Sequence, residues 1–516
     1  MLPIELIVTQ AHPLTFANRS TDWRNRGRNE GRYTSGKLLY ATTIPMHSRH
    51  VLLSLAALTL SFAAEVKAFG GIDPFSTDAA TPPRAAIFPS SDGAYVPCQP
   101  LPAGAAYGVV EVVDLALCQN PKTHESWANA RAQAAQVGVA QSAYLPDLDG
   151  KAGRSKIHTD SERANTSSAS LTLSWLLYDS GARSANLENA RQLLSAAAST
   201  LDATVQNVFF SALQAYYNTQ AARAAVIAAQ ESEKASRESL TAAEVRYRVG
   251  TGTPADRLQA QTAWSQATLN RIKAEGIVKI AYGTLANVMG LDANQPLLLA
   301  NIPESTPGAS FERDVEALIA DARQKRPDLK AAEAQVKAAQ SSIDTARASG
   351  LPTLSLGAGP SWADTGNQTT HGDAIGLTLT LPLFSGFETT YKVRAAQAKA
   401  DVASAQRDAI NQQIALDVWS AYQSLTTATQ TFRTSTDLLA SAEQSERVAL
   451  GRYKAGVGNI LDVLNAQSAL ATARLQRIQA LLDWHVSRAA LAKALGALDG
   501  TLLSQNSGTS PGTTTP

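Results

Sequence analysis

Beyond residue 68 no apolar run reaches the roughly 18–20 residues that a membrane-spanning helix requires, so that stretch carries no helical anchor. Histidine is scarce and scattered. His124, His158, His371 and His485 share no metal-ligand spacing, so surface or packing roles are expected of them. No glycine run stands between a strand and a helix in phosphate-loop form. The nearest, Gly357-Ala358-Gly359-Pro360, falls in a predicted strand or loop with no helical pattern after it. Catalysis is therefore not expected, nor is any cofactor or metal. Charge of one sign is also lacking. Removing the eight Lys/Arg and four Asp/Glu of residues 1–68 from totals of 45 and 44 leaves 37 basic and 40 acidic groups. That balance gives no electrostatic case for nucleic acid. Among few aromatics, Trp175, Trp362, Trp419 and Trp484 read as packing or interface residues. The only cysteines are Cys98 and Cys118. An oxidising compartment allows one disulfide closing a short loop, and two unpaired thiols are the alternative.

What is present begins with an export signal. Met46 is followed by the basic His47-Ser48-Arg49-His50, an apolar run from Val51 to Ala64, and Val66-Lys67-Ala68. A basic segment, an apolar segment and a small-residue cleavage site make a secretory signal peptide over 46–68, cut after Ala68. Neither cysteine follows that cut, so a lipoprotein anchor is not supported. Residues 1–45 are polar, Arg-rich and without pattern, and read as a non-native upstream extension. Residues 69–110 are rich in Pro, Gly, Ala and Ser and predict an extended leader into the fold.

The rest is duplicated. Arg452-Tyr453-Lys454-Ala455-Gly456-Val457-Gly458-Asn459, running on to Asp462 and Asn465, has an earlier copy in Arg246-Tyr247-Arg248-Val249-Gly250-Thr251-Gly252-Thr253, running on to Asp256. Tyr247 and Tyr453 lie 206 positions apart, as do Asp256 and Asp462, and Pro121 and Pro327. An offset of that size means duplicated halves, over 111–290 and 311–500. In each copy an Ala-rich helical run meets a Gly-x-Gly turn and a second helical run leaves it. Glycine ends the first helix, and Thr253 or Asn459 caps the next. These are hairpin tips between long antiparallel helices.

Each half opens with helical periodicity, about 112–142 broken at Asn120-Pro121, and about 311–349 broken at Arg326-Pro327. Leu145-Pro146 and Leu351-Pro352 then head the first strand of each half, where proline is tolerated. Leu171 to Tyr178 and Ile375 to Phe384 alternate apolar residues with Ser or Thr. That period of two marks a strand with one apolar and one polar face. The terminal aromatics Tyr178 and Phe384 suit a membrane-interface girdle. A lipid-facing sheet must close on itself, and four strands cannot close around anything. Three chains give twelve strands, although other oligomers satisfy closure too.

Asp179-Ser180-Gly181 and Ser385-Gly386 predict the starts of the long helices, with Ser or Asp as caps. Residues three and four apart form apolar seams, Leu187-Ala190-Leu194-Ala197-Leu201-Thr204-Val208 and Leu461-Leu464-Ser468-Ala471-Leu475-Ile478-Leu482. The run from about 187 to 246 spans roughly 90 Å at 1.5 Å per residue, a length that suits a projecting tube. Residues 291–310, with Pro296, Pro303 and Pro307, form a linker, and 501–516 a disordered tail.

The combination resembles the TolC-like outer-membrane efflux protein family. Its carriers are the two Leu-Pro strand heads, the Pro382-Leu383-Phe384-Ser385-Gly386 junction and the two tips. The similarity spans roughly 110–498. It implies a mainly α fold with a β-barrel part: long antiparallel hairpins forming an α-barrel, plus four transmembrane strands per chain in a homotrimeric twelve-stranded barrel. The location implied is the cell outer membrane, in contact with its lipid, with a periplasmic helical tunnel. Its partners would be a periplasmic adaptor and an inner-membrane ABC or RND transporter. The activity implied is a passive exit duct for type I protein secretion or drug efflux. The inner helices would close the periplasmic end and swing outward. Tyr453 matches the tip tyrosine that holds the closed state in the family. Asp462 matches the first ring of constriction aspartates. Asn465 stands where relatives carry a second, and Gly458 replaces the basic residue often seen in the turn. Three carboxylates around a narrow axis repel one another and favour cations. From its position alone Asp462 could equally solvate a helix start, Asp256 could pair with Arg257, and Tyr247 and Tyr453 could be packing residues. A trimeric coiled-coil stalk of the cell surface is the alternative, against which the paired amphipathic strands speak. A periplasmic adaptor would show one helical hairpin where this chain repeats two.

Overall fold

The computed structural model describes residues 73–82, 98, 105–158, 163–300, 314–366 and 368–498. The signal segment 46–68, the extension 1–45 and the tail 501–516 lie outside them. Helices α1 (Val109–Gln119) and α2 (Pro121–Ser142) lead into strands β2 (Asp147–His158) and β3 (Arg163–Tyr178), then α3 (Ala182–Arg248) and α4 (Pro254–Val288). The second half repeats this as α5 (Val315–Lys325), α6 (Pro327–Ala348), β5 (Thr353–Asp364), β6 (Thr369–Thr380), α7 (Glu388–Lys454) and α8 (Ile460–Ala494). Every helix of the second half starts 206 positions after its counterpart, with the same length. The α3 and α7 helices, 67 residues each, are about 100 Å long at 1.5 Å per residue. Among the described residues no helix is long and apolar enough to cross a membrane.

The strands form one antiparallel sheet in the order β2-β3-β5-β6. Its register sets Leu148 beside Leu173, Trp175 beside Leu356, and Leu356 beside Leu377. Alternation therefore gathers Leu148, Leu171, Leu173, Trp175, Leu354, Leu356, Ile375, Leu377 and Leu379 on one face. Ser, Thr and Gly dominate the other. Ile375 is 81% exposed, and Leu377 and Leu379 stand open beside it among the described residues. The Gly357–Pro360 run is strand. At Gly359 a Cβ would fall 1.9 Å from the Leu171 carbonyl oxygen, so only glycine permits this approach. Pro360, without an N–H, sits where the β3–β5 ladder has a gap between Ser361 and Ala358. The strand expected to run to Phe384 ends at Thr380. Pro382 cannot donate to a ladder, and Leu381 to Phe387 form the passage into α7.

Two further details depart from the sequence expectations. The serines do not cap the long helices. Gly181 and Phe387 occupy the caps in left-handed conformation, and Asp179 accepts the Arg183 amide (2.7 Å) and Arg183 Nε (3.0 Å). Ser180 instead donates to the Pro352 carbonyl (2.8 Å), tying the two halves where helices meet sheet. Within α8 the buried row is Ile460, Val463, Gln467, Ala473, Ala480 and Trp484. Leu461 and Leu475 of the expected seam stay exposed. The linker contributes β4 (Leu298–Leu299), paired in parallel with β1 (Ala106–Tyr107).

The main core lies where α1 crosses α3 and α4, around Val112, Leu115, Phe209, Leu213, Leu285 and Met289. A smaller counterpart in the second half holds Leu318, Leu329, Ile414 and Val418. The N-terminal segment is fastened beside the first core. Cys98 and Cys118 form a disulfide with Cα atoms 5.3 Å apart, the Cys98 amide donates to Asp114 (2.7 Å), and Trp127 Nε1 donates to the Pro82 carbonyl (3.1 Å). His485 is buried between Tyr217, stacked at 4.4 Å, and Trp484. Burial first, and Arg488 second, hold its imidazole down at about 4.

Two stability predictions follow from these contacts. The disulfide closes a loop across 20 positions, for which chain entropy gives about 3 kcal/mol. Cys118→Ser should lower the thermal unfolding midpoint of detergent-solubilised protein, and reductant should shift the wild type equally; an unmoved midpoint would assign the fastening to Trp127 and its neighbours. His485 binds its proton more weakly folded than unfolded, so its contribution is complete above pH 6.5 and is lost as pH falls toward about 4. The loss amounts to roughly 3 kcal/mol at 1.36 kcal/mol per pH unit. Denaturant titrations between pH 7.5 and 4.5 should show that slope, flattened in His485→Gln.

Candidate functional site

Both tips are built by one device. Arg246–Gly252 and Arg452–Gly458 end their helices with backbone bonds that satisfy the last carbonyls: Thr251 N to Arg246 O (2.9 Å) and Val457 N to Arg452 O (3.1 Å). Gly250 and Gly456 supply the left-handed residue, at φ 78° and 82°. The second glycine of each turn has a different task. A Cβ on Gly458 would fall 2.9 Å from the Tyr453 amide nitrogen, and on Gly252 3.1 Å from that of Tyr247. No side chain fits at 458 in this turn without a shift.

The following helices start on capping side chains. Thr253 and Asp256 form a reciprocal box, with Asp256 N donating to Thr253 Oγ1 (3.1 Å) and Thr253 N to Asp256 Oδ2 (3.0 Å). Asp256 is thus occupied as a helix cap. Arg257 lies over the Tyr247 ring at 5.1 Å. In the second tip Asn459 accepts from the Leu461 amide (3.1 Å). Asp462, in the first turn of α8, is exposed and lines a groove of about 550 Å³ with Asn465 and Arg452. The two tyrosines fare differently. Tyr247 is 40% exposed, whereas Tyr453 is buried with Ile460 and Val463.

The structure brings Tyr453 to a residue that the motif reading passed over. The Arg246 guanidinium stands 4.1 Å from the Tyr453 ring centroid, and its Nη2 donates to the Tyr453 carbonyl. One cation thus grips both ring and backbone of the opposite hairpin. Burial pushes the Tyr453 phenol up; Arg246 opposes this and Asp256 adds to it. The groove beside this clamp, about 670 Å³, is lined by Lys234, Arg237, Glu238, Arg246 and Lys454. In the sequence Arg246 is marked only by the dipeptide Arg-Tyr, which recurs at both tips. Away from the tip, between α3 and α8, Gln467 Nε2 donates to Ser239 Oγ (3.0 Å), and Arg474 pairs with Glu231 (2.8 Å).

Comparison with known proteins agrees with this architecture. The family model described as Outer membrane efflux protein matches residues 112–291 and 318–497. Protein CyaE of Bordetella pertussis is 33% identical over 472 residues, covering 89% of this chain and 97% of that protein. Outer membrane efflux protein BepC of Brucella suis is 27% identical over 388 residues, 73% of this chain and 83% of that one. The solved Campylobacter jejuni CmeC outer membrane channel superposes with a TM-score of 0.67 at 20% identity, covering 78% of this chain and 89% of its own. With both repeats matched and a relative aligned nearly end to end, the chain belongs to the outer membrane efflux protein family, and it is an efflux channel of the outer membrane.

Proposed function

We propose that three copies close their sheets into a twelve-stranded barrel, and that their paired hairpins continue it as a periplasmic tunnel. The observation that carries this is the four-stranded sheet with an apolar band across one face and, among the described residues, two unpaired edges, β2 and β6. Such edges satisfy their backbone groups in lipid when they meet those of neighbouring copies. The assembly is a passive exit duct for an exported polypeptide or a small molecule. A periplasmic adaptor and an inner-membrane ABC or RND transporter supply coupling and energy, and no residue performs catalysis.

The tips form the gate. Arg246 holds the second-repeat hairpin to the first through Tyr453, and exposed Asp462 carboxylates, one per copy, ring the constriction. Asn465, beside Asp462, leaves that ring at three carboxylates. A cation over an aromatic contributes about 0.5–2 kcal/mol and a charge-assisted hydrogen bond about 1.5–3 kcal/mol. Losing the clamp should therefore shift closed toward open about tenfold or more, at 1.4 kcal/mol per decade.

Single-channel recording of purified protein in planar bilayers tests both assignments. Wild type should give small, cation-selective conductance. Asp462→Ala should lose the selectivity with little change in gating, and Arg246→Ala should raise the open fraction while keeping it. Folded protein that never inserts or conducts would remove the duct reading and favour a trimeric stalk. Unchanged selectivity in Asp462→Ala would make that carboxylate a solvated helix start.

A further inference from the structure

We propose that Arg154 and Lys156, with His158 beside them, form a site on the lipid-facing side of β2 for the phosphate groups of an anionic lipid of the outer leaflet. The inference rests on the barrel reading above and names the lipid class that one rim of that barrel holds.

Register places these residues. On β2 the face that continues the apolar band carries Leu148, Gly150, Ala152, Arg154, Lys156 and His158 in turn. It is apolar or small as far as Ala152 and basic beyond. The change falls at one level across the sheet. Ala152 pairs with Ala169, Ala169 with Trp362, and Trp362 with His371. An indole and an imidazole thus mark the row where hydrocarbon gives way to headgroups. Arg154 stands in the next row, opposite Ser167. On β3, Ser167 lies eight positions from Trp175, roughly 27 Å at 3.4 Å per residue. That length is comparable with a barrel's apolar band, about 25 Å tall. Helices join the sheet only at its other end, through residues 143–146 and 179–181. With the helices in the periplasm, the basic rim meets the outer leaflet.

The strand itself does not require these charges. A shift of 206 positions turns Arg154, Lys156 and His158 into Pro360, Trp362 and Asp364 on β5, so the same strand forms with either set. The basic set belongs to one strand of the four, giving one site per copy. All three side chains are exposed, and neither Arg154 nor Lys156 has an ion-pair partner among the described residues. Two carboxylates share this face of the sheet. Asp364 accepts the Gly366 amide (2.9 Å), and Asp373 stands on β6, the opposite edge. Lysine on an edge strand also discourages unwanted pairing, but that role needs no alignment with the headgroup level. A phosphorylated glycolipid meets both halves of the surface. Its acyl chains lie against Leu171 and Leu173, and its phosphate accepts from the guanidinium fork of Arg154 and from Lys156 Nζ. An uncharged headgroup would satisfy only the first.

Native mass measurement on the purified full-length protein in mild detergent tests this, with diphosphorylated lipid A as the probe. Wild type should appear as three chains holding one lipid per copy, and should hold lipid A stripped of its phosphates about tenfold or more weakly. Arg154→Gln combined with Lys156→Gln should keep three chains and the wild-type conductance, and should lose that preference. Equal binding of the two lipids by wild type, or a preference that survives the double variant, would overturn the proposal and leave the barrel standing. A native mass of one chain would overturn both. Asp373→Asn supplies a further arm. If Asp373 of the next copy engages Arg154 and Lys156 instead, this variant and the double variant will each lower the dissociation temperature of the oligomer. Phosphate preference will then stay as in wild type, which also overturns the lipid site.

Discussion

Unpaired N–H and C=O groups along β2 and β6 set the terms for everything else in the molecule. Each such group costs several kcal/mol in hydrocarbon, and each edge is 12 residues long. A sheet with a band of Leu, Ile and Trp across one face belongs in lipid, yet its edges cannot remain open there. In the proposed trimer, pairing across copies resolves the conflict, and the resolution propagates downward. Asp179 locks Arg183 at the start of α3, and Ser180 reaches across to Pro352. In that proposed assembly the spacing of the strands sets the spacing of the helices, and the tips about 100 Å away inherit it through the rise of α3 and α7.

The two repeats keep one backbone plan but secure it with different chemistry. In the first, Gly290 lies so close to the Gln119 carbonyl that a Cβ would approach it to 2.6 Å, and Asn120 Nδ2 donates to the Val288 carbonyl (3.0 Å). A disulfide and a large apolar core stand beside that junction. In the second, Gly496 packs against Arg326, whose guanidinium pairs with Asp328 (2.6 Å) and Asp417 (2.7 Å). The Arg326 side chain is 15% exposed, and carboxylates on both sides keep its charge satisfied. The smaller core of the second repeat is accordingly joined by a polar network that the first lacks, a division of labour that a strictly symmetric ring of identical units could not have.

Much of this was legible in the chain itself, because duplication multiplies weak signals. Gly-x-Gly turns, Leu-Pro strand heads and alternating Thr/Leu runs each have many meanings alone, and their recurrence at one offset removes most of them. Helix starts read less well. Ser180 and Ser385 look like caps by residue type, but a left-handed residue precedes each helix, and Ser180 donates to Pro352 instead. The site was half visible. Tyr453, Asp462, Asn465 and Gly458 announce themselves through the motif, whereas Arg246 acts across 207 positions. Nothing local distinguishes it from Arg248 or Lys454, which also complement a helix C-terminus. Only three-dimensional contact separates the arginine that grips a ring from those that balance a dipole.

The displaced seam of α8 carries the same lesson into energetics. Leucine spacing pointed to Leu461, Leu475 and Leu482 as the buried row, yet the chain buries Val463, Ala473 and Ala480. Alanine allows helix axes to approach closely, but each one removes little apolar surface from water, and stabilisation scales with that area. A hairpin sealed by alanine is narrow and only weakly held by its own contacts. Larger side chains, Leu475 on α8 and Ile272, Ile277 and Ile280 on α4, remain outside it. Their burial is deferred to whatever packs against those faces. The geometry that makes each hairpin slender thus also leaves much of its apolar surface open, to be covered in the proposed trimer.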